Sequence, residues 1–416
     1  MKPLVLVVYD RGSAGPLEIA AAARGVCDVV FVCDPAAAHV AGALPALRSA
    51  APVVDAGSDP GAVARAVAPL RPAGITTFSE YRIGLTAGVA ARLGLDYHDP
   101  GTALALGDKL HQRRALDRAG LPGPRHREAA DAAALADAAA RLGFPAVVKP
   151  RRGAGSASTY RVAGPADVAD IASRAVPAGG YLVEELLEGD PAAAGPGWGD
   201  YVSVESVVAA GEVRHVAVMG KFPLAEPFRE TGQFVPATLP RDLAGRAEEL
   251  AGAALRALGV RSGCAHTELK LTPDGPRIIE VNGRVGGNVA ALLRRASGYD
   301  LLRAALGAAA GPAPPDDPPD FRRIAFRRYL PAPPRRAALR RLGGIERIAA
   351  LPGVDQVDVR AEPGQVLDWR NGTQDCVGLV QGTASDHAEL RSLAAEIDAL
   401  LETEFTVLDG EAVGTR

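Results

Sequence analysis

Apolar runs with period two alternate with apolar stripes of helical period along the first hundred residues. Leu4–Tyr9 reads as a buried strand, Leu17–Arg24 as a helix, Val29–Cys33 as a second strand, and Gly74–Phe78 as a later strand followed by a helix through Leu93. This alternation predicts a small parallel α/β lobe over residues 1–105. A new helix starts at Gly107-Asp108-Lys109, with Asp108 as its N-cap, and stops at Gly120 and Pro122. Then follow a helix at Ala132–Leu142, strands at Pro145–Lys149, Thr159–Val162 and Tyr181–Glu185, and a hairpin of Asp200–Val208 with Val213–Met219 about Ala210-Gly211. Lys221–Pro236 reads as a long loop, Leu243–Leu258 as an amphipathic helix, and Cys264–Asn288 as two strands about Pro273-Asp274-Gly275. Gly311–Pro319 is a linker by composition. Beyond it, Phe321–Leu330, Val354–Val359 and Asp375–Gln381 read as strands and Ser385–Leu401 as a helix, with no recognisable motif. The class is α/β with an α+β tail.

The last hairpin is chemically odd. If its loop closes Thr272 onto Pro276, Glu268 falls opposite Glu280. Alternation then puts Glu280, Asn282 and Arg284 on one face and Ile279 and Val281 on the other. Facing carboxylates repel, so the pairing costs stability unless both point into water or hold a cation. An all-oxygen set of Glu268, Glu280 and the Asn282 amide suits Mg²⁺ that also binds phosphate oxygens.

Composition narrows the picture. A net charge of −3 offers no basic surface for nucleic acid. The four cysteines lack metal or disulfide spacing, as in a reducing cytoplasm. The opening apolar run is too short for a leader or a membrane span. Of 46 basic residues only Lys2, Lys109, Lys149, Lys221 and Lys270 are lysines. In so Arg-rich a chain, a lysine inside a motif points to a need for a compact ammonium. Lys109 sits in a first helical turn, where the dipole offers a cation nothing, and Lys149 ends an apolar strand. Residues 151–158, R-R-G-A-G-S-A-S, form a flexible turn that can aim backbone N–H groups at phosphate. It is not a P-loop, and the glycines at 11–15 do not make a dinucleotide fingerprint.

Taken in order, Lys109, Lys149, Gly153–Ser158, Glu184-Glu185 and Glu268…Glu280-Val281-Asn282-Gly283-Arg284 resemble the ATP-grasp superfamily, and within it the carboxylate–amine ligases. The resemblance spans residues 107 to about 305. It implies an ATP-grasp domain at 106–310, with a small subdomain at about 106–180 and a large one at about 181–310, between the N-terminal lobe and a C-terminal α+β region at 311–416. It also implies roles. Lys109 and Lys149 bind ATP phosphates, and Gly155-Ser156 cover the β- and γ-phosphates. Glu184 accepts from the adenine amino group, with backbone near Glu185 and Leu187 reading the ring and Asp200 at the ribose. Glu268, Glu280 and Asn282 hold Mg²⁺, for which Mn²⁺ is the alternative, and Arg284 steadies the acyl phosphate and tetrahedral intermediate. Gly283 departs from the proline common there.

R-V-G-G-N, in place of the R-L-Q-V-E-H of biotin carboxylase, and the loop F-R-E-T-G-Q-F-V-P resemble the dipeptide-forming amino-acid ligases. That branch implies amide formation between two amino acids through an acyl phosphate, with ADP and phosphate released, in specialised metabolism. It implies a cytoplasmic enzyme with small-molecule partners, no nucleic acid, no membrane and, by analogy, a homodimer. Glu230 becomes a candidate for a substrate ammonium, with Gly287, Arg294 and Arg295 near the substrate and Glu80 a weaker candidate. The alternatives are a formate- or bicarbonate-using ligase of nucleotide or cofactor synthesis, and a non-catalytic nucleotide binder.

Overall fold

In a computed structural model, which describes residues 2–174, 176–311 and 318–408, the chain divides into two compact units. One comprises residues 1–124, 202–218 and 240–320, the other 125–201, 219–239 and 321–416. Compactness therefore groups the N-terminal lobe with the 263–282 hairpin, and the 126–185 segment with the tail. Most of the expected linker, residues 312–317, lies outside the described residues.

The first unit contains the parallel lobe. Its four strands run in the order Val53–Asp55, Asp28–Cys33, Leu4–Val8, Gly74–Thr76. Each central strand is buried, which is why these segments read as continuous apolar runs rather than alternating ones. The helix Leu301–Ala310 lies so near the edge strand that a Cβ at Gly74 would meet the Ala309 carbonyl oxygen at 1.7 Å. Elsewhere in this unit the hairpin Gly263–Thr272/Gly275–Asn282 is flanked on one side by the strand ending at Ala209 and covered by the helix Arg241–Leu258.

The second unit holds an antiparallel sheet ordered His126–Ala129, Tyr181–Glu185, Ala146–Pro150, Tyr160–Val162. The helices Ala132–Leu142 and Pro165–Ala172 bury Leu135, Leu142 and Ile171 against Val148, Val162 and Tyr181. A second layer runs from residues 220–221 through Gly232–Val235, Ile324–Leu330 and Gly378–Ala384 to Val354–Val359. The long loop expected over Lys221–Pro236 is thus corrected: its last part pairs as a strand between two others. Ala337–Gly343 and Glu402–Val407 form a further antiparallel pair. All four cysteines are buried and unlinked. Among the described residues, no helix is long and apolar enough to cross a membrane.

Candidate active site

The hairpin of the first unit pairs Glu268 with Glu280 and His266 with Asn282. The expected pairing is present, but the route to it differs. The loop has two residues, Pro273 and Asp274, and Thr272 pairs with Gly275 rather than Pro276. Carried to the end, that register would set Glu268 opposite Ile279. A bulge between Glu268 and Leu269 shifts it back by one, leaving Ile279 as the extra residue.

The helix Lys109–Arg118 stabilises that irregularity. Asp108 caps it, accepting from the backbone N–H of Leu110 at 3.0 Å. Gln112, buried one turn on, donates to the Val281 carbonyl at 2.7 Å and accepts from the Val281 N–H at 2.8 Å. Its amide thereby serves the hairpin's outer strand as a further strand would. Arg113 donates to the carbonyl oxygens of Ile278, at 3.2 Å, and of the bulged Ile279. With the helix so fixed, the Lys109 ammonium sits 2.9 Å from Glu280 Oε1.

On the same sheet face, the His266 ring joins two acids: Nδ1 is 2.6 Å from Glu205 Oε1 and Nε2 is 3.1 Å from Glu268 Oε1. Gly286, first glycine of the R-V-G-G turn, admits that ring, since a Cβ there would lie 2.5 Å from His266 Nδ1. Arg284 donates through Nη2 and Nε to Glu80 Oε2 at 3.1 and 3.3 Å. Burial pushes the Glu80 carboxyl above its usual range; Arg284 opposes this and Glu280 adds to it. Burial also works against the Arg284 charge, but Glu80 and Glu268 outweigh it and hold the guanidinium above its ordinary value.

The donor set fits a hard cation. Two carboxylates and an amide are all oxygen ligands, and three protein ligands suit Mg²⁺, which keeps water or phosphate oxygens in its remaining positions. Among the described residues, no three His, Cys, Asp or Glu side chains converge as metal ligands.

In the second unit, Lys149 and Glu184 form a buried ion pair at 2.6 Å across adjacent strands. Glu185 accepts from Arg125, from its Nε at 2.6 Å and its backbone N–H at 3.0 Å. The glycine-rich turn is held by residues far along the chain. Gly155 has φ +65° and Ser156 φ +57°, the latter a left-handed backbone outside glycine. The Gly155 carbonyl accepts from the Thr373 N–H at 3.0 Å, the Ser156 carbonyl from Arg229 Nη1 at 2.8 Å, and the Ser158 N–H donates to the Arg370 carbonyl at 2.9 Å. Arg229 also lies over the Trp369 ring at 5.5 Å, and burial brings its pKa down to about 10. The tail to which no motif was assigned therefore supplies the turn's supports.

The remaining expected residues are placed as follows. Glu230 Oε1 accepts from the buried Lys221 ammonium at 3.2 Å. Asp200 fills the space where Gly189 has no Cβ, and Leu187 is half-buried. Arg294 ends its helix in an exposed ion pair with Asp300 at 3.1 Å, beside Arg295. A Cβ added at Gly287 would meet nothing within 4 Å. Gln112, Arg113, Glu205, His266 and Arg229 were not anticipated. His266 was within reach, because alternation puts it on the face of Glu268.

Residues 106–288 match the model of an ATP-grasp domain, and residues 328–406 that of L-amino acid ligase C-terminal domain 2. The alanine–anticapsin ligase of Bacillus subtilis is 27% identical over 246 residues, covering 55% of this chain and 52% of the relative. A D-alanine–D-alanine ligase of Desulforudis audaxviator is 31% identical over 208 residues, or 48% of this chain and 66% of that enzyme. The crystal structure of an L-amino acid ligase from Bacillus licheniformis aligns over 98% of this chain and 99% of that one, with a TM-score of 0.77 at 22% identity. The chain spans about half to two thirds of the length of these curated relatives.

Proposed function

Since residues 106–288 form an ATP-grasp domain and an L-amino acid ligase C-terminal domain follows it, we propose that the chain is an ATP-dependent ligase joining a carboxylate to an amine, with two amino acids as its substrates. The observation that carries this reading is the Glu268–Glu280 pairing, kept by a bulge, with Lys109 and the half-buried Arg284 fixed beside it. A mere nucleotide binder has no use for a half-buried arginine held among three acids, Glu80, Glu268 and Glu280.

In this reading Glu268, Glu280 and Asn282 hold Mg²⁺, which supplies charge neutralisation between ATP and the attacking carboxylate. Lys109 and Lys149 screen phosphate oxygens, and Gly155-Ser156 present N–H groups to the same anions. Glu184 accepts from the adenine amino group, Glu185 and Leu187 lie along the ring edge, and Asp200 takes the ribose. The substrate carboxylate attacks the γ-phosphorus, giving an acyl phosphate and ADP. The amine then attacks the acyl carbon, and Arg284 stabilises the oxyanion before phosphate leaves. Excluding water preserves the acyl phosphate, and the pinned glycine-rich turn serves that end. Glu230 receives a substrate ammonium.

The test is phosphate release from ATP with pairs of the standard amino acids, with products identified by mass. Release that needs two amino acids together, with a dipeptide formed, supports the reading. Release driven by formate or bicarbonate replaces it with the cofactor-synthesis alternative. ATP binding without any release returns the chain to a nucleotide binder.

A further inference from the structure

A row of polar side chains crosses the second unit's larger sheet. Lys221 pairs with Gln233, Gln233 with Arg327, and Arg327 with Gln381, so all four project from one face of four adjacent strands. Lys221 and Arg327 are each only 1% exposed. The Lys221 ammonium donates to Glu230 Oε1 at 3.2 Å and to Gln233 Oε1 at 3.0 Å. Arg327 is differently placed. Its guanidinium stands 5.1 Å from the Tyr329 ring centre, yet Nε and Nη1 have no hydrogen-bond acceptor among the described residues. The neighbouring Gln381 Oε1 is likewise buried without a donor.

A guanidinium stays charged in a protein, and its buried N–H groups cost free energy when they are left without acceptors. Packing on that face does not demand a charge, since Arg327's same-face neighbours Ala325 and Tyr329 are buried and uncharged. Burial pulls its pKa below the ordinary value and Arg360 adds to this, while Tyr329, Cys376 and Glu230 oppose it. What satisfies a buried planar fork best is a planar anion with two oxygens. Beside it, Glu230 and the Gln381 oxygen are acceptors that suit an ammonium. The face is laid out for a zwitterion.

We propose that Arg327 receives the free carboxylate of the amino acid that supplies the amine, and so sets the preference for an acid at that position. The inference rests on the ligase reading above, and it names the residue that recognises one of the two substrates. In the reaction that carboxylate is a spectator: the ammonium gives up one proton to water, the freed nitrogen lone pair forms the new C–N bond, the nitrogen loses its second proton as the tetrahedral intermediate expels phosphate, and the carboxylate leaves in the product unchanged.

The test begins with a product-forming amino-acid pair, in which product mass identifies the nitrogen donor. That donor is then compared with its own carboxamide, which keeps the amine and side chain and lacks the charge. The unmodified protein should use the acid at least about 100-fold better in kcat/KM, as expected of a site that leaves charged donors without a partner when the group is missing. In Arg327→Met the preference should collapse to within about tenfold, through the KM of the donor, with the KM of ATP unchanged. Arg327→Lys keeps the charge without the fork and should retain part of the preference. Equal use of acid and amide by the unmodified protein overturns the inference without any variant. So does an unchanged preference in Arg327→Met, or a rise confined to the KM of ATP, which would assign the guanidinium to a nucleotide phosphate. No phosphate release with any pair overturns the ligase reading, and this inference with it.

Discussion

The two candidate clusters are built on opposite electrostatic plans. In the first unit, Glu80, Glu205, Glu268 and Glu280 gather around Lys109, Arg284 and His266, an arrangement with acid in excess of permanent cations. In the second, Lys149 and Glu184 neutralise each other in a buried pair, and the glycine-rich part of the adjoining turn, residues 153–158, carries no charged side chain. On the proposed reading a cation completes the first plan. The second pairs its buried charges internally, and residues 153–158 of the turn add backbone donors. The difference separates a site that a metal should stabilise from one whose own partner stabilises it.

Glu280→Ala gives the sharpest test of that distinction. It should lower kcat by about 10³-fold, read as phosphate release, since it removes a charge on which transition-state stabilisation depends. Stability without metal should change little, because relief of an excess acid is offset by loss of the ion pair with Lys109, while the gain in Tm that Mg²⁺ and ADP give the unmodified protein should vanish. A variant that kept this gain would show that the carboxylate holds no metal.

Arg284→Ala should cost about 10²-fold in kcat and leave the KM of ATP unchanged, because its role is confined to the acyl centre. A rise in the KM of ATP with kcat preserved would move Arg284 from the intermediate to the nucleotide.

Lys149→Met probes the other plan. It leaves the Glu184 carboxylate buried without its lysine, and breaking such a pair costs about 3 kcal/mol of folding stability. Urea unfolding measures it. A loss comparable with that of Glu280→Ala would erase the contrast between the clusters.

How far the sequence carries these conclusions differs from feature to feature. The glycine-rich turn, the lysines and the capped helix follow from local spacing, and each has its place in the structure. Three lysines singled out by their rarity, Lys109, Lys149 and Lys221, each meet a glutamate. The Glu268–Glu280 pairing was legible only because two departures offset each other. The loop is one residue shorter than counted and the bulge is one residue longer, and no local signal marks the bulge. The residues that hold it, Gln112 and Arg113, bond the backbone more than 160 positions away, as an edge strand would, and nothing in their own segment announces that. The strand Gly232–Val235 hid in a stretch of glycine, proline and charge, because its partners, one of them past residue 320, determine it rather than its propensity. The tail's supports for the glycine-rich turn were invisible for the same reason: they act through backbone groups, which every sequence possesses.

The smallest expected effect concerns those supports, and it compares two glycines. Gly372 has φ +93°, and a Cβ there would lie 2.3 Å from the Gly155 carbonyl oxygen and 3.0 Å from the Ala157 nitrogen. Gly372→Ala is therefore opposed by both backbone conformation and space, and the cheaper relief is for the glycine-rich turn to move away. The bonds from Thr373 to Gly155 and from Ser158 to Arg370 should loosen with it. If that turn serves the nucleotide, the KM of ATP should rise about tenfold with kcat little changed, and trypsin should cut faster at Arg151 and Arg152. Gly286→Ala in the first unit meets the His266 ring instead, at 2.5 Å. Displacing a ring that joins Glu205 and Glu268 should lower kcat and leave the tryptic pattern alone. Were the two variants to give the same kinetic signature, the two units would not divide the work as their charges indicate.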